Sequence, residues 1–189
     1  MPLIECTLIE GYDTDTRRLI SERITDAACS ATGASPELVI VTVKEITPEN
    51  YMRGRSQKTP AQAPLQPDEI VKQFISLMQD RNLEDAQKWL ADGAQMSFLD
   101  GQCFTNLSDQ SNWTKTRYKS VSKTFESIET AFHGKDASVY CSGELKGIWL
   151  DGSTFRNVRF IDRFAISNGQ ITRHEVWNDL AEVKGSKKW

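Results

Sequence analysis

The sequence predicts an α+β protein in two parts: a β-α-β unit, then helices followed by a curved antiparallel sheet. Three observations predict it. Residues 3–9 and 38–46 are short runs rich in β-branched side chains, with an amphipathic stretch between them. Residues 56–66 contain Pro60 and Pro64, run directly into Pro67 and carry almost no apolar bulk, the composition of a semi-extended linker. Beyond Lys123 the pattern changes to strand-like segments separated by turn signals.

Residues 3–9 read as a first strand, and Gly11-Tyr12 as a turn. Asp13, Thr14 and Asp15 place a cap and acids where a helix begins, which suits its dipole. Ile20, Ile24, Ala27, Ala28 and Ala31 recur at three- and four-residue spacing on one face, and Gly33 stops the helix. Leu38 to Ile46 is the second strand, parallel to the first. About 55 residues give such a unit too little core to stand alone, so it is expected to assemble with copies of itself. The expected domains are 1–55 and 67–189, joined by the linker at 56–66. In the second, Ile70, Val71, Phe74, Ile75 and Met78 mark a helix, and Asn82 caps another carrying Leu83, Ala86, Trp89 and Leu90. Gln95 to Phe98 reads as a short strand and Ser108 to Tyr118 as a third helical piece. Turns fall at His133-Gly134-Lys135-Asp136, Asp151-Gly152 and Ser167-Asn168-Gly169. Helices before a meander make an α+β domain whose curved sheet leaves a conical pocket.

The net charge of -3, with no basic stripe carrying interleaved aromatics, argues against a nucleic-acid partner. No apolar run is long enough to cross a bilayer, and the first residues lack a signal-peptide pattern. Cysteines 6, 29, 103 and 141 show no CxxC spacing, so reduced and mostly buried thiols are expected in a cytoplasmic protein, with no metal and no cofactor.

The segment from Pro2-Leu3-Ile4 to Glu10-Gly11, the helix after it and Val39-Ile40-Val41-Thr42-Val43-Lys44-Glu45-Ile46 resemble the 4-oxalocrotonate tautomerase family over residues 2–55. Methionine before proline is usually trimmed, which frees a secondary amine at Pro2. An α-amino group titrates near ~8, and an apolar wall lowers that value, so Pro2 is a candidate neutral base. The resemblance implies that this proline moves a proton on a dienol or keto acid. It also implies trimers or hexamers, an aromatic residue enclosing the site at Tyr51, and two arginines gripping the substrate. Tyr12 and Ile40 stand where those arginines belong, so the guanidinium forks that clamp a carboxylate are absent. Arg53 and Arg55 are candidate replacements that would reach a neighbouring subunit, and Tyr12 a donor to an enolate oxygen. The alternative for both arginines is a solvated loop.

Residues 74–85 and 160–171, with the order of elements, resemble the nuclear transport factor 2-like (cystatin-like) superfamily over residues 67–183. The nearest members look like SnoaL-type polyketide cyclases and ketosteroid isomerases. Alternation puts Val158, Phe160, Asp162, Phe164 and Ile166 on one face. Asp162 among apolar neighbours is expected to have a raised pKa and to act as a general acid or base. The resemblance also carries a functional aspartate there, although Phe74 and Phe98 replace that isomerase's tyrosine and base. A buried structural carboxyl bonded to a tyrosine, a tryptophan or the backbone is the alternative. If Ile166 and Ile171 face each other, Arg173, Glu175 and Trp177 share Asp162's face, which makes Trp177 a candidate wall for a flat ligand.

Three functions follow. The chain is a tautomerase using Pro2, with the second domain binding substrate or running a coupled step. Or the second domain is a cyclase or dehydratase using Asp162, and the first mainly an oligomeriser. Or the whole is a non-catalytic ligand-binding assembly. The expected partners are a small-molecule substrate and other copies of the chain, through the first domain and as a dimer through the second, with no membrane.

Overall fold

A computed structural model describes residues 1–185; the end of the second expected domain, 186–189, lies outside the described residues. The chain divides into two compact units at Pro64 and Leu65.

In the first unit, β1 (Leu3–Ile9) and β2 (Ile40–Ile46) pair in parallel, with Leu3 opposite Ile40 and Ile9 opposite Ile46. The helix α1 (Thr14–Thr32) joins them. It starts where the Asp13 side chain accepts from the Thr16 N–H at 2.7 Å and ends at Gly33, left-handed at φ 73°. Ile4, Cys6 and Leu8 are half-buried and alternate with exposed Leu3, Glu5 and Thr7. None of residues 1–64 is buried. A short hairpin follows, β3 (Met52–Arg53) against β4 (Ser56–Gln57). Its turn residues Gly54 and Arg55 both take positive φ, as a two-residue hairpin turn demands. Ser56 and Gln57, at the start of the expected linker, are therefore paired residues. Pro60 then covers Gly11, where an added Cβ would sit 2.8 Å from the proline ring.

In the second unit, α2 (Pro67–Gln79) opens with Pro67 at a position that needs no N–H, and the Gln66 N–H donates to the Glu69 carboxylate at 3.2 Å. It buries Ile70, Val71, Phe74 and Ile75. The helix α3 (Leu83–Gln87) is capped by Asn82, as the sequence predicts, but it stops short of Trp89 and Leu90. Leu90 instead begins β5 (Leu90–Ser97), because it pairs with Ile171 while the Trp89 carbonyl accepts from the Ile171 N–H. Sheet pairing there overrides helical spacing. Next come β6 (Cys103–Phe104), α4 (Leu107–Lys115), β7 (Tyr118–His133), β8 (Asp136–Trp149), β9 (Thr154–Ser167), β10 (Gln170–Asn178) and α5 (Leu180–Gly185). The sheet runs β6-β5-β10-β9-β8-β7, antiparallel except for β5 against β10.

The sheet bends where residues are inserted. Pairing between β7 and β8 slips between Tyr118 and Ser120 and between Phe125 and Ser127. Gly143, at φ 156°, faces the second slip; a Cβ there would collide with the Thr124 carbonyl. Gly147 likewise meets the Ser120 carbonyl and the Phe155 ring. The core lies between the concave face and α2, with Phe74, Phe160 and Phe164 among its largest buried side chains.

The cysteines correct one expectation. Only Cys141 is buried; Cys6 and Cys29 are half-buried and Cys103 is exposed. The first unit has no buried interior to hold its two. All four are free thiols. No described helix is long and apolar enough to cross a membrane.

Candidate functional site

The concave side of the second unit encloses a cavity of about 330 Å³. Its walls include Phe74 and Met78 of α2, Gln110 and Trp113 of α4, Lys123 of β7, Asp162 of β9 and His174 of β10. Asp162 is fully buried, on the face of β9 that alternation assigns to it.

The chemistry around Asp162 differs from the sequence reading in two ways. The pKa is lowered rather than raised. Burial alone would raise it, but the Lys123 ammonium, ion-paired with Oδ2, and the His174 ring outweigh burial and hold the carboxyl ionised. The partner is also neither tyrosine, tryptophan nor backbone. Lys123 comes from β7, its Nζ 4.7 Å from the centre of the Phe160 ring.

His174 is the second surprise. Pairing of β10 with β9 slips between Ile171 and Arg173, so Thr172 is an extra residue. Past that bulge the faces exchange. His174 and Val176 join Asp162's side, and Asp162 pairs with Val176. Trp177 pairs with Ile161 on the other side, where it is 48 % exposed, and it does not line the cavity. Arg173 and Glu175 leave that face for the same reason; Glu175 pairs with Arg163 at 2.6 Å. Ile171 does face Ile166 as the sequence suggests, but alternation cannot be carried past Thr172.

The His174 ring stacks on Phe164, centroids 4.1 Å apart, and meets Phe74 and Phe98 edge-on. Burial pushes its pKa down, so the imidazole is neutral near pH 7. Its Nε2 lies 3.3 Å from Asp162 Oδ2 without hydrogen-bond alignment. That nitrogen, Asp162 Oδ1 and Gln110 Oε1 are buried without a hydrogen-bond partner among the described residues. Tyr118, also in the lining, has its phenol pushed up to about 12 by burial and remains a donor. A neutral imidazole beside a carboxylate can take a proton, since the imidazolium formed is stabilised by the charge next to it. An ammonium at the same spot can hold a developing enolate oxygen.

The first unit's candidates are spread along the strands. Pro2 is half-buried at the head of β1, its carbonyl accepting from the Ile40 N–H at 3.0 Å. Tyr12 follows the far end of β1 and Tyr51 the far end of β2; both are half-buried. Arg53 is exposed in β3, and Arg55 is exposed at the hairpin turn. A seven-residue strand spans about 23 Å, and the chain after Tyr51 returns to Gly11 rather than to Pro2.

Together these are the marks of a β-α-β unit joined to a helix-and-curved-sheet cone with a ligand-sized cavity. Residues 2–59 match the model of the tautomerase enzyme family. The 2-hydroxymuconate tautomerase of Bacillus subtilis (strain 168) is 31 % identical over 51 residues, which cover 27 % of this chain and 82 % of that protein. The chain belongs to the tautomerase family. An NTF2-like protein from Burkholderia thailandensis superposes with a TM-score of 0.53 at 14 % identity, covering 65 % of this chain and 98 % of its own. An NTF2-like protein of unknown function from Burkholderia pseudomallei gives 0.52 at 15 %, covering 61 % and 92 %. At such identities the likeness concerns the fold.

Proposed function

We propose that the chain is an isomerase that moves a proton on a small enol or keto compound. Pro2, freed by removal of Met1, is the base, and the cavity of the second unit binds substrate or runs a coupled proton transfer. The observation that carries this reading is the position of Pro2 at the head of β1, held by its bond to Ile40, in a unit that matches the tautomerase family from residue 2. Tyr12, Tyr51, Arg53 and Arg55 lie toward the other end of the parallel pair, so a second copy brings them to Pro2. The exposed Leu3 and Ile40 beside it supply apolar surface for that assembly. Because Tyr12 and Ile40 replace the family's arginines, a dicarboxylate such as the B. subtilis relative's name describes is a poor fit for this site.

The test follows phenylpyruvate enol–keto exchange with intact mass measured in parallel. Pro2→Ala is expected to slow it at least about 100-fold, the ordinary worth of a positioned base. Retained Met1 in an active protein, or an unaffected Pro2→Ala variant, would sink the reading.

A second reading rests on the buried Lys123–Asp162–His174 cluster: the second unit is the catalyst, a cyclase or dehydratase, and the first unit mainly assembles it. Loss of turnover in Asp162→Asn with Pro2→Ala unaffected would favour it.

A further inference from the structure

The cavity's charge is out of keeping with the chain that builds it. The protein carries a formal charge of -3. Its cavity is lined by Arg81, Lys115, Arg117, Lys119 and Lys123 against Asp162 alone among the described carboxylates. Lys123 offsets Asp162, and Arg81 in the turn after α2, Lys115 at the end of α4 and Lys119 in β7 remain as exposed cations of the lining. A cleft lined by one sign of charge concentrates ligands of the other sign.

Deeper in, the polar atoms are arranged for a partner that is not protein. Gln110 is 9 % exposed. Its amide nitrogen donates to Thr114 Oγ1 at 3.3 Å, while Oε1 is buried and accepts from nothing described. A buried acceptor left empty costs roughly 1–3 kcal/mol, which a ligand donor would relieve. Lys123 has three donors, so it can keep Asp162 and hold a second oxygen. The apolar lining sets the aromatic rings of Phe74, Phe98, Trp113 and Phe160 among aliphatic side chains such as Met78, Met96 and Leu145. Such faces favour a flat, conjugated body.

We propose that this cavity is a site for a small flat organic anion, an aromatic or conjugated carboxylate or enolate bearing a hydroxyl group, with its charged oxygen on Lys123 and its hydroxyl donating to Gln110. This names a substrate class for the cavity in the function proposed above, and it rests on that reading for turnover but not for binding.

Calorimetric titration of the full chain tests it with three probes: para-hydroxycinnamate, its neutral amide para-hydroxycinnamamide, and cinnamate. The hydroxy acid is expected to bind at least tenfold more tightly than the amide and roughly fivefold more tightly than cinnamate, the range of one charge-assisted and one neutral hydrogen bond. Lys123→Gln should erase the preference for acid over amide, and Gln110→Leu that for hydroxy acid over cinnamate. If Lys123→Gln fails to fold, exposed Lys119→Gln still reads the charge effect, as a two- to threefold loss at low salt that vanishes at high salt. Equal affinity for acid and amide, no binding of any probe, or an acid affinity indifferent to both salt and Lys119→Gln overturns the proposal. Enol–keto exchange on the same samples separates the two readings. Pro2-dependent turnover without anion binding sinks this inference alone; anion binding without turnover sinks only the catalytic one.

Discussion

The two units meet the same problem, covering apolar side chains, in opposite ways. The second closes a sheet over its own helices and fully buries Phe74, Phe160 and Phe164. The first has helix and strand alternation just as regular, yet buries nothing, and leaves Leu3 at 62 % and Ile40 at 41 % exposure. Regular local structure is therefore not a core. One βα crossover has two faces to cover and one helix to cover them with, so the other face stays open in a single chain. The candidate groups differ in the same way. The second unit gathers Lys123, Asp162 and His174 in one wall, whereas in the first Pro2 precedes β1 and Tyr51 follows the far end of β2.

The largest break in this contrast should come from the core. Phe164→Ala is expected to destabilise the second unit by about 3–5 kcal/mol by chemical denaturation and leave the assembly of the first unchanged. Leu3→Ala should do the reverse, costing little in the melting of the second unit while shifting the oligomer towards monomer in sedimentation. Gly143→Ala forces a side chain against the Thr124 carbonyl and should cost about 1–3 kcal/mol, again confined to the second unit.

A smaller effect concerns pH. His174 has a folded pKa depressed below its ordinary value near ~6.5, so the unfolded chain binds the proton first. Stability is then full above that pH and falls as pH drops through it, by at most about 1.4 kcal/mol per pH unit. Asp162, also depressed, adds loss in the same direction only below about pH 4. Melting between pH 7 and 5 should show the slope in the native protein and lose it in His174→Phe; an unchanged slope would assign it elsewhere. Least of all, Arg18→Ala on the exposed face of α1 should stay within about 0.5 kcal/mol.

Much of this was legible in the residues. Asp13 and Gly33 bound α1 as their chemistry requires, and the alternation from Val158 to Ile166 places Asp162 among apolar neighbours. The bulge at Thr172 was not legible, because an inserted residue leaves no mark in a polar stretch, and Trp177 was placed on the wrong face in consequence. Lys123 did leave a signal: Val121, Lys123 and Phe125 fall on alternate positions, so the lysine shares an apolar face. A lysine in a long strand reads as solvated until the partner that neutralises it is known. The charge of Asp162 followed from that omission, since burial without Lys123 predicts a raised pKa and burial with it a lowered one. That Pro2 lies at the opposite end of the parallel pair from the segment leading to Tyr51 needed only strand length and direction.

The most direct measurement is enol–keto exchange of phenylpyruvate per chain, followed on dilution beside sedimentation velocity of the same samples. Specific activity should fall in step with loss of the oligomer and recover on reconcentration. A dissociated single chain with undiminished, Pro2-dependent activity would contradict the account.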